Sequence, residues 1–513
     1  MKKQLTAAIY DRWLFTLGGG EQVAFAYAQV LRDLGYQTTL LSHQKIDVDK
    51  AQQKMNVDLQ NIAIKYLPPL PSSELPKFFE SYDLFINTSY LDYFPNRSKN
   101  GILSVFFPGQ IFLTPWEYLK RVLFIPSLNN FFIYPSSYEN FANDEYFKGK
   151  IYKWLKPCSW INFKHNVNSI RITLYLPIFS FAVLDEIKFA LNETNLVPTS
   201  RVFNHHSNTI SYQFKFPQNT KNKKFSIILP AHEYAKEIAL VRLTIPGLRY
   251  FLYNLFKKFF PVWEMRLHGG PGVTERADLE SYQKIITISK FCQKWIKKYW
   301  GLPSFILYPP VNTKEFASNC PKKKWITHIG RFFVTGHNKK QLDLVKIFKK
   351  IYDKYEVKDW ELHFIGSVHE GAAHQAYFEQ VKFEAQGYPI FFHIDVPFAG
   401  LKNILCQSSI YWHATGLDGN ENENPIVFEH FGVTTVEAMA AGVVPIVINA
   451  GGQKEIVTKI SGFKWNNRQE LLKYTLLLIK NPQILKKLST NAQQRSQYFS
   501  RKNFQKRFKE LIT

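Results

Sequence analysis

Cysteine is scarce in this 513-residue sequence: Cys158, Cys292, Cys320 and Cys406 are scattered, with no CxxC pair and no Cys/His ligand spacing. That scatter suggests a reducing cytosol and no structural zinc. Long apolar runs are scarce too. The longest, residues 172–184, is interrupted by Pro177 and falls short of the roughly 20 residues needed to span a bilayer. The opening segment, residues 1–11, carries charge but no apolar core of a signal peptide, so a soluble or peripheral cytoplasmic protein is expected. Internal repeats, low-complexity tracts and zinc-finger, RRM or KH signatures are missing.

Acidic residues are in deficit, 41 against 65 Lys plus Arg, which leaves a formal charge of +24. Such an excess favours anionic surfaces, and without a nucleic-acid signature the candidates reduce to phospholipid headgroups and acidic polysaccharide. A generally solvated basic surface accounts for the same count. The 45% hydrophobic fraction supports ordinary cores, and the length calls for more than one of them.

Along the chain, residues 5–10 read as an apolar strand, Gly18-Gly19-Gly20-Glu21 as a tight turn, 23–34 as a helix before Gly35, and 38–42 as a second strand. This is the opening of a doubly wound sheet. The glycine triplet does not match G-x-G-x-x-G, so a dinucleotide site is a poor fit. Segments 82–88 and 101–107 continue the sheet. From about 140 to 245 the texture changes to short alternating runs (169–176, 186–191, 209–216, 224–229) separated by polar turns, which predicts an inserted β-sandwich. The α/β texture returns near Arg266-Leu-His268-Gly-Gly-Pro-Gly272, and 284–289 reads as a strand feeding a helix over 290–299. Further strands are expected at 325–330, 360–365, 390–393 and 410–413, and a basic helix at the end. The expected divisions are 1–139 and 246–310 for an N-terminal Rossmann-like domain in two parts, 140–245 for the insertion, 311–488 for a C-terminal Rossmann-like domain, and 489–513 for a helix crossing back.

The most informative stretch is Glu429-His-Phe-Gly-Val-Thr-Thr-Val-Glu437-Ala-Met-Ala-Ala-Gly442-Val-Val-Pro445. Phe431-Gly432 breaks the backbone, Thr434 and Thr435 suit a helix cap, 436–441 has helix-forming composition, Gly442 suits the position after a helix end, and 443–448 reads as a buried strand. A helix N-terminus with free N–H groups suits a diphosphate. Glu429 precedes that helix and Glu437 lies within it, so the two carboxylates can face different parts of one hydroxyl-rich ligand. Upstream, Arg331 follows the 325–330 strand and Lys339 lies eight residues on, with Lys340 its rival; two fixed cations suit a departing diphosphate.

Together these residues resemble the E-x7-E signature of family 4 retaining glycosyltransferases. The Glu-His-Phe-Gly and Glu-Ala-Met-Ala-Ala-Gly forms are similar to the branch that includes lipid-linked oligosaccharide mannosyltransferases. The resemblance is loose over the first ~130 residues, close over 265–490 and absent from the insertion. It implies an α/β protein of GT-B fold: two facing Rossmann-like domains, with a β-rich, sandwich-like insertion in the N-terminal one. It further implies a metal-independent, retaining hexosyltransferase that moves mannose or glucose from a nucleotide-diphosphate sugar to a glycan or lipid-linked acceptor, with no cofactor, in cell-envelope or exopolysaccharide synthesis. By the same resemblance Glu437 meets the ribose hydroxyls and Glu429 the transferred sugar. Arg331 and Lys339 meet the diphosphate, Phe431, Gly432, Val433, Thr434 and Thr435 meet sugar and phosphate, and Gly18, Gly19 and Gly20 approach donor and acceptor. His268 stands near the acceptor entry, either steering the acceptor or satisfied by backbone. His413 ends a strand near the donor side and is assigned either to packing or to supporting the residues that meet the ligand.

Residues 249–260 mix aromatics with three cations, so they either contact an anionic membrane at the inner face of the cytoplasmic membrane or form a helix buried against its own sheet. Two other functions stay open: a non-catalytic carbohydrate-binding scaffold, and a glycoside hydrolase using Glu429 and Glu437 as its carboxylate pair.

Overall fold

The computed structural model describes residues 4–55, 57–67, 75–109, 127–147, 150–163, 165–176, 183–205, 207–217, 223–231, 238–259, 276–317, 320–334, 336–369 and 371–512. The chain divides into two units: Met1–Phe112 with Pro271–His369 and Tyr377–Thr513, and Leu113–Gly270 with Glu370–Ala376.

The first unit holds two parallel sheets. One has seven strands in the order Phe305–Ile306, Lys284–Thr287, Gly101–Val105, Leu84–Asn87, Thr6–Tyr10, Gln37–Ser42, Ile62–Tyr66. The other has six, in the order Ile390–Ile394, Glu361–Gly366, Trp325–Ile329, Ile410–His413, Val444–Ile448, Phe463–Trp465. Runs such as Leu-Phe-Ile-Asn at 84–87 and Val-Pro-Ile-Val-Ile at 444–448 are buried along their whole length, as strands covered on both faces must be. In each sheet the order reverses beside its first strand, between Thr6–Tyr10 and Leu84–Asn87 in one and between Trp325–Ile329 and Ile410–His413 in the other. A doubly wound sheet opens a crevice at that reversal, beyond the carboxyl ends of the strands.

Helices cover both sheets. Helix α1 is Gly19–Asp33, α3 Lys290–Trp300, α4 Gln341–Lys354, α5 Val433–Ala440, α6 Pro482–Ser496 and α7 Arg501–Ile512; α2, Leu248–Phe259, belongs to the second unit. The Gly18 to Glu21 stretch is a helix start rather than a free turn, because the Glu21 carboxylate reaches back to accept from Gly18 N–H at 2.6 Å. Helix α3 starts at Ser289, whose Oγ accepts from Cys292 N–H at 3.1 Å, and stops at Gly301 with φ +69°. The closing segment is two helices. α6 stays beside α5, and α7 returns to the first sheet, where Phe504 and Phe508 pack on Tyr27 of α1 at 5.4 and 4.6 Å between ring centroids.

The second unit is antiparallel. Its nine strands, from Ser137–Phe147 to Ala239–Thr244, form one continuous hydrogen-bonded sheet wrapped around its own core instead of the two separate sheets of the expected sandwich. The reason lies in Lys150–Phe163, which is long enough to pair along one edge with Ser137–Phe147 and along the other with both Lys223–Ile228 and Ala239–Thr244. The alternation visible in the sequence survives: Ile170, Ile172 and Leu174 face inward and pair with Phe214, Tyr212 and Ile210.

Cys320 and Cys406, 86 residues apart, form a disulfide. This cross-link was not visible in the spacing, and it departs from the reading of the cysteines as markers of a reducing cytosol. His268 and its glycine loop lie outside the described residues. Among the described residues no helix is long and apolar enough to cross a membrane.

Candidate active site

The second sheet's crevice collects the charged residues. Trp325–Ile329 runs into Gly330 and Arg331, and the neighbouring Ile410–His413 ends on a buried imidazole. Gly330 is needed where it stands: a Cβ there would fall 2.6 Å from Lys339 Cγ, and one on Gly366 would fall 2.2 Å from Gly330 O. Close backbone approach thus holds Lys339 across the strand end. Its Nζ donates to Glu429 Oε2 at 2.7 Å, and His413 Nε2 lies 3.4 Å from the same oxygen. Lys340, at φ +60°, precedes α4, and Lys339 is the lysine brought to the carboxylate.

Glu429 is held in place by glycines. Gly452 N–H donates to Glu429 O at 2.7 Å, and a side chain on Gly451 or Gly452 would collide with the backbone of Glu429, His430 and Phe431. Helix α5 then begins at Gly432, whose φ of +122° turns the chain two or three residues earlier than a Thr434 or Thr435 cap would. No side chain caps that end. Val433, Thr434 and Thr435 therefore form its first turn; Thr435 N–H donates to Gly432 O at 3.1 Å, and the Val433 and Thr434 N–H groups lack partners within the helix. Thr434 Oγ1 lies 3.0 Å from Tyr411 OH. The Phe431 ring turns away into a core with Tyr308 and Phe499, leaving only its backbone at the loop.

The two glutamates sit in opposite environments. Burial alone would raise Glu429, but Lys339, His413 and His337 outweigh it and hold the carboxyl well below its usual range. Glu437, on α5, is pushed up to about 7 by burial, with no cation to offset it. His413 is lowered, chiefly by burial, so at neutral pH it is an uncharged ring that donates to Glu429.

Sequence reasoning missed several residues here. His337 lies within the field of Glu429, Lys339 and Arg331, and burial lowers it. His430 stacks on Phe107 at 4.4 Å and meets His337 edge-on at 4.7 Å, and burial lowers it to about 3. Gln453 is fully buried; its amide has no partner among the described residues and lies 2.2 Å from where a Gly432 Cβ would stand. Loop histidines and a lone glutamine carry no spacing signal, whereas His413 has one in ending a strand, and of packing or support for a ligand-facing residue its place beside Glu429 fits the second.

The first sheet meets this loop through Phe106 and Phe107. The Phe106 ring is 3.5 Å from a Cβ built on Gly20, Phe107 stacks on His430, and Cys292 Sγ donates to Phe106 O at 2.9 Å. Gly18 to Gly20 and the 429–432 loop thus flank one Phe-Phe pair. Beside the glycines, Asp11 is raised to about 7 by burial, with Glu21 adding to the rise. It accepts from Thr88 Oγ1 at 3.1 Å and was not anticipated either. Arg331 is exposed at the crevice and forms no ion pair among the described residues. Among the described residues no cluster of His, Cys, Asp and Glu is arranged to hold a metal.

Residues 312–495 match the family model described as glycosyl transferases group 1. The chain is similar to the GDP-Man:Man(3)GlcNAc(2)-PP-Dol alpha-1,2-mannosyltransferase of Dictyostelium discoideum, 25% identical over 42% of this chain and 43% of that one. The protein of the same description from Xenopus tropicalis is 30% identical over 29% of this chain and 30% of its own. The match thus spans less than half the length of these curated relatives. In three dimensions the chain is similar to Anabaena HepE in complex with UDP, with TM-score 0.52, 11% identity and 99% of both chains covered. It is likewise similar to sucrose-phosphate synthase from Thermosynechococcus elongatus, with TM-score 0.51 and 11% identity over 99% of this chain and 98% of that one. At these identities the likeness establishes the GT-B fold.

Proposed function

We propose that this chain, whose residues 312–495 match glycosyl transferases group 1, is a hexosyltransferase that takes a sugar from a nucleotide diphosphate and delivers it to a glycan or lipid-linked acceptor. The observation that carries the reading is the cluster Lys339, Glu429 and His413 beside the uncapped start of α5, with Arg331 free at the same crevice. Departure of a nucleoside diphosphate concentrates negative charge, and a lysine, an arginine and a helix N-terminus are the groups that stabilise it. In this reading Lys339 exchanges Glu429 for phosphate oxygens when donor binds, while His413 keeps Glu429 oriented toward the sugar hydroxyls. Glu437 accepts from the ribose. The sugar transferred is mannose or glucose, with retention of anomeric configuration and no metal, and the acceptor is presented at the inner face of an anionic cytoplasmic membrane.

The opposed states of Glu429 and Glu437 are also those of a hydrolase acid and base, but a hydrolase has no use for the two cations. The test is release of nucleotide from UDP-, GDP-, ADP- and dTDP-sugars by the purified protein, with and without EDTA and a lipid-linked acceptor, using Glu437→Ala as control. Glu437-dependent release of one nucleotide, with sugar appearing on the acceptor in the donor's anomeric configuration, is the expected result. Absence of release, together with no thermal stabilisation by any nucleotide, would overturn the reading.

A further inference from the structure

Helix α2 of the second unit divides its residues between two faces. Tyr253 is buried, packing against Phe132 and Tyr134 at 5.9 and 4.9 Å, and Tyr250 and Phe256 join the same cluster. The helix is fastened there by Arg249, which donates to the backbone oxygens of Asn130 and Phe131 and covers the Phe131 ring at 5.5 Å. The opposite face carries Leu248, Phe251, Leu255 and Phe259, spaced three, four and four residues apart, and these are 69%, 62%, 45% and 64% exposed. At this spacing four large apolar side chains form one straight stripe along about 18 Å of helix. Scattered exposed apolar residues are ordinary, whereas an aligned stripe of them is the mark of a docking surface.

The charge around the stripe identifies what docks. Lys257 and Lys258 close the helix, both exposed and neither in an ion pair among the described residues; Lys258 flanks the stripe, its Nζ 5.9 Å from the centre of the Phe259 ring, whereas Lys257 lies on the other face, 6.0 Å from the centre of the Tyr253 ring. Neither α2 nor the segment 127–134 beneath it contains an Asp or Glu. An apolar face bordered by the unpaired cation of Lys258 and free of anions complements a layer that is negatively charged outside and hydrocarbon within. Lysines at the border of a protein–protein interface would have carboxylates to answer, whereas phospholipid headgroups supply the anions themselves.

We infer that α2 lies in the headgroup region of an anionic membrane, with Leu248, Phe251, Leu255 and Phe259 inserted and Lys258 on lipid phosphates. The inference shares with the proposed function the view that the acceptor is held at a membrane, but the surface is argued from α2 alone and is testable without any donor. The experiment is flotation of the full chain with vesicles of phosphatidylcholine alone or mixed with phosphatidylglycerol. The variants are F251S/L255S and K258Q, and melting curves confirm that each folds.

The wild type is expected to float with the anionic vesicles and not with the neutral ones. F251S/L255S should bind at least about ten-fold more weakly, and K258Q about five-fold more weakly at low salt. Three results would overturn the inference: no flotation of the wild type, flotation unchanged in both variants, or a lipid-free self-association abolished by F251S/L255S, which would make a second copy the occupant. Nucleotide release measured on the same preparations separates the two ideas. Vesicle binding lost in the variants of a protein that turns over no donor leaves the membrane face standing while the transferase falls.

Discussion

Glu429 and Glu437 lie eight residues apart, yet the residues around them prepare one as a fixed anion and the other as a group that titrates near neutrality. Replacing Lys339 by Ala leaves Glu429 with only the His413 and His337 rings to offset its burial, and removes a charge that the crevice offers to phosphate. We expect kcat/KM to fall by about 100-fold or more, with the loss present at all substrate concentrations, as steady-state kinetics on the donor identified above will show. For Glu437 the sign follows from its raised value. The folded chain keeps a proton that the unfolded chain loses above its usual 4.5, so stability is lost as pH climbs from there to about 7. The cost reaches about 3 kcal/mol at high pH, because each pH unit between those two values is worth about 1.4 kcal/mol. Glu437→Gln should therefore be more stable than wild type at pH 8, with the advantage vanishing by pH 5. Denaturant melts at the two pH values measure it, and an advantage that does not change with pH would show that the site is not desolvated as argued.

Between elements, the contact most open to test is the one Glu455 makes with the start of α3. Its carboxylate accepts from Lys290 N–H at 2.9 Å and from Tyr308 OH at 2.6 Å, so a residue that follows the second sheet's Gly451-Gly452 loop caps a helix of the first sheet. Glu455→Ala should lower stability by about 1–2 kcal/mol, and a double-mutant cycle with Tyr308→Phe should return a coupling energy instead of additivity. The disulfide is a second such link. Cys320→Ser should cost roughly 2–5 kcal/mol under oxidising conditions, with the difference from wild type disappearing in reductant. These links also mark where the sequence stopped being legible. Periodicity located the strands and helices, because burial on one or both faces writes itself into the order of apolar residues, as in Ile170, Ile172 and Leu174 or in Leu84–Asn87. The 429–437 segment was legible because a glycine, two carboxylates and a helix fall in one run. Its cap was misread, since an N-cap formed by backbone at φ +122° in Gly432 leaves no side-chain signal, and Thr434 and Thr435 offered a false one. His337, His413 and Gln453 converge on the loop from separate turns, and the Cys320 to Cys406 pairing depends on strand order. Contacts of that kind exist only once the sheet is assembled.

At the scale of the whole first unit, the candidate site is shared unequally. Lys339, Glu429, Glu437 and Arg331 all belong to the second sheet and its helices, whereas the first sheet contributes Phe106, Phe107 and the Gly18 to Gly20 turn, which meet the loop across His430. Helix α7 is the element that runs from one side to the other: Val311 N–H donates to Phe499 O and Arg501 N–H to Val311 O, after which Phe504 and Phe508 enter the core beneath α1. A change in α7 should therefore separate donor binding from turnover. Phe508 is fully buried, and Phe508→Ala should cost about 3–5 kcal/mol of stability. Among molecules still folded, the first sheet should be held less firmly. Nucleotide affinity, which in the proposed reading rests on second-sheet residues, should stay within about three-fold of wild type. Transfer to acceptor needs both sheets in place, and a displacement of about 1 Å at the reacting groups is enough to lose about 100-fold in rate. Calorimetry with the nucleotide and single-turnover transfer at a temperature well below the variant's midpoint distinguish the two. If affinity and rate fall together by the same factor, α7 supports the fold of the second sheet itself and the division of labour described here is wrong. If rate falls while affinity holds, the acceptor half of the site is built on the first sheet.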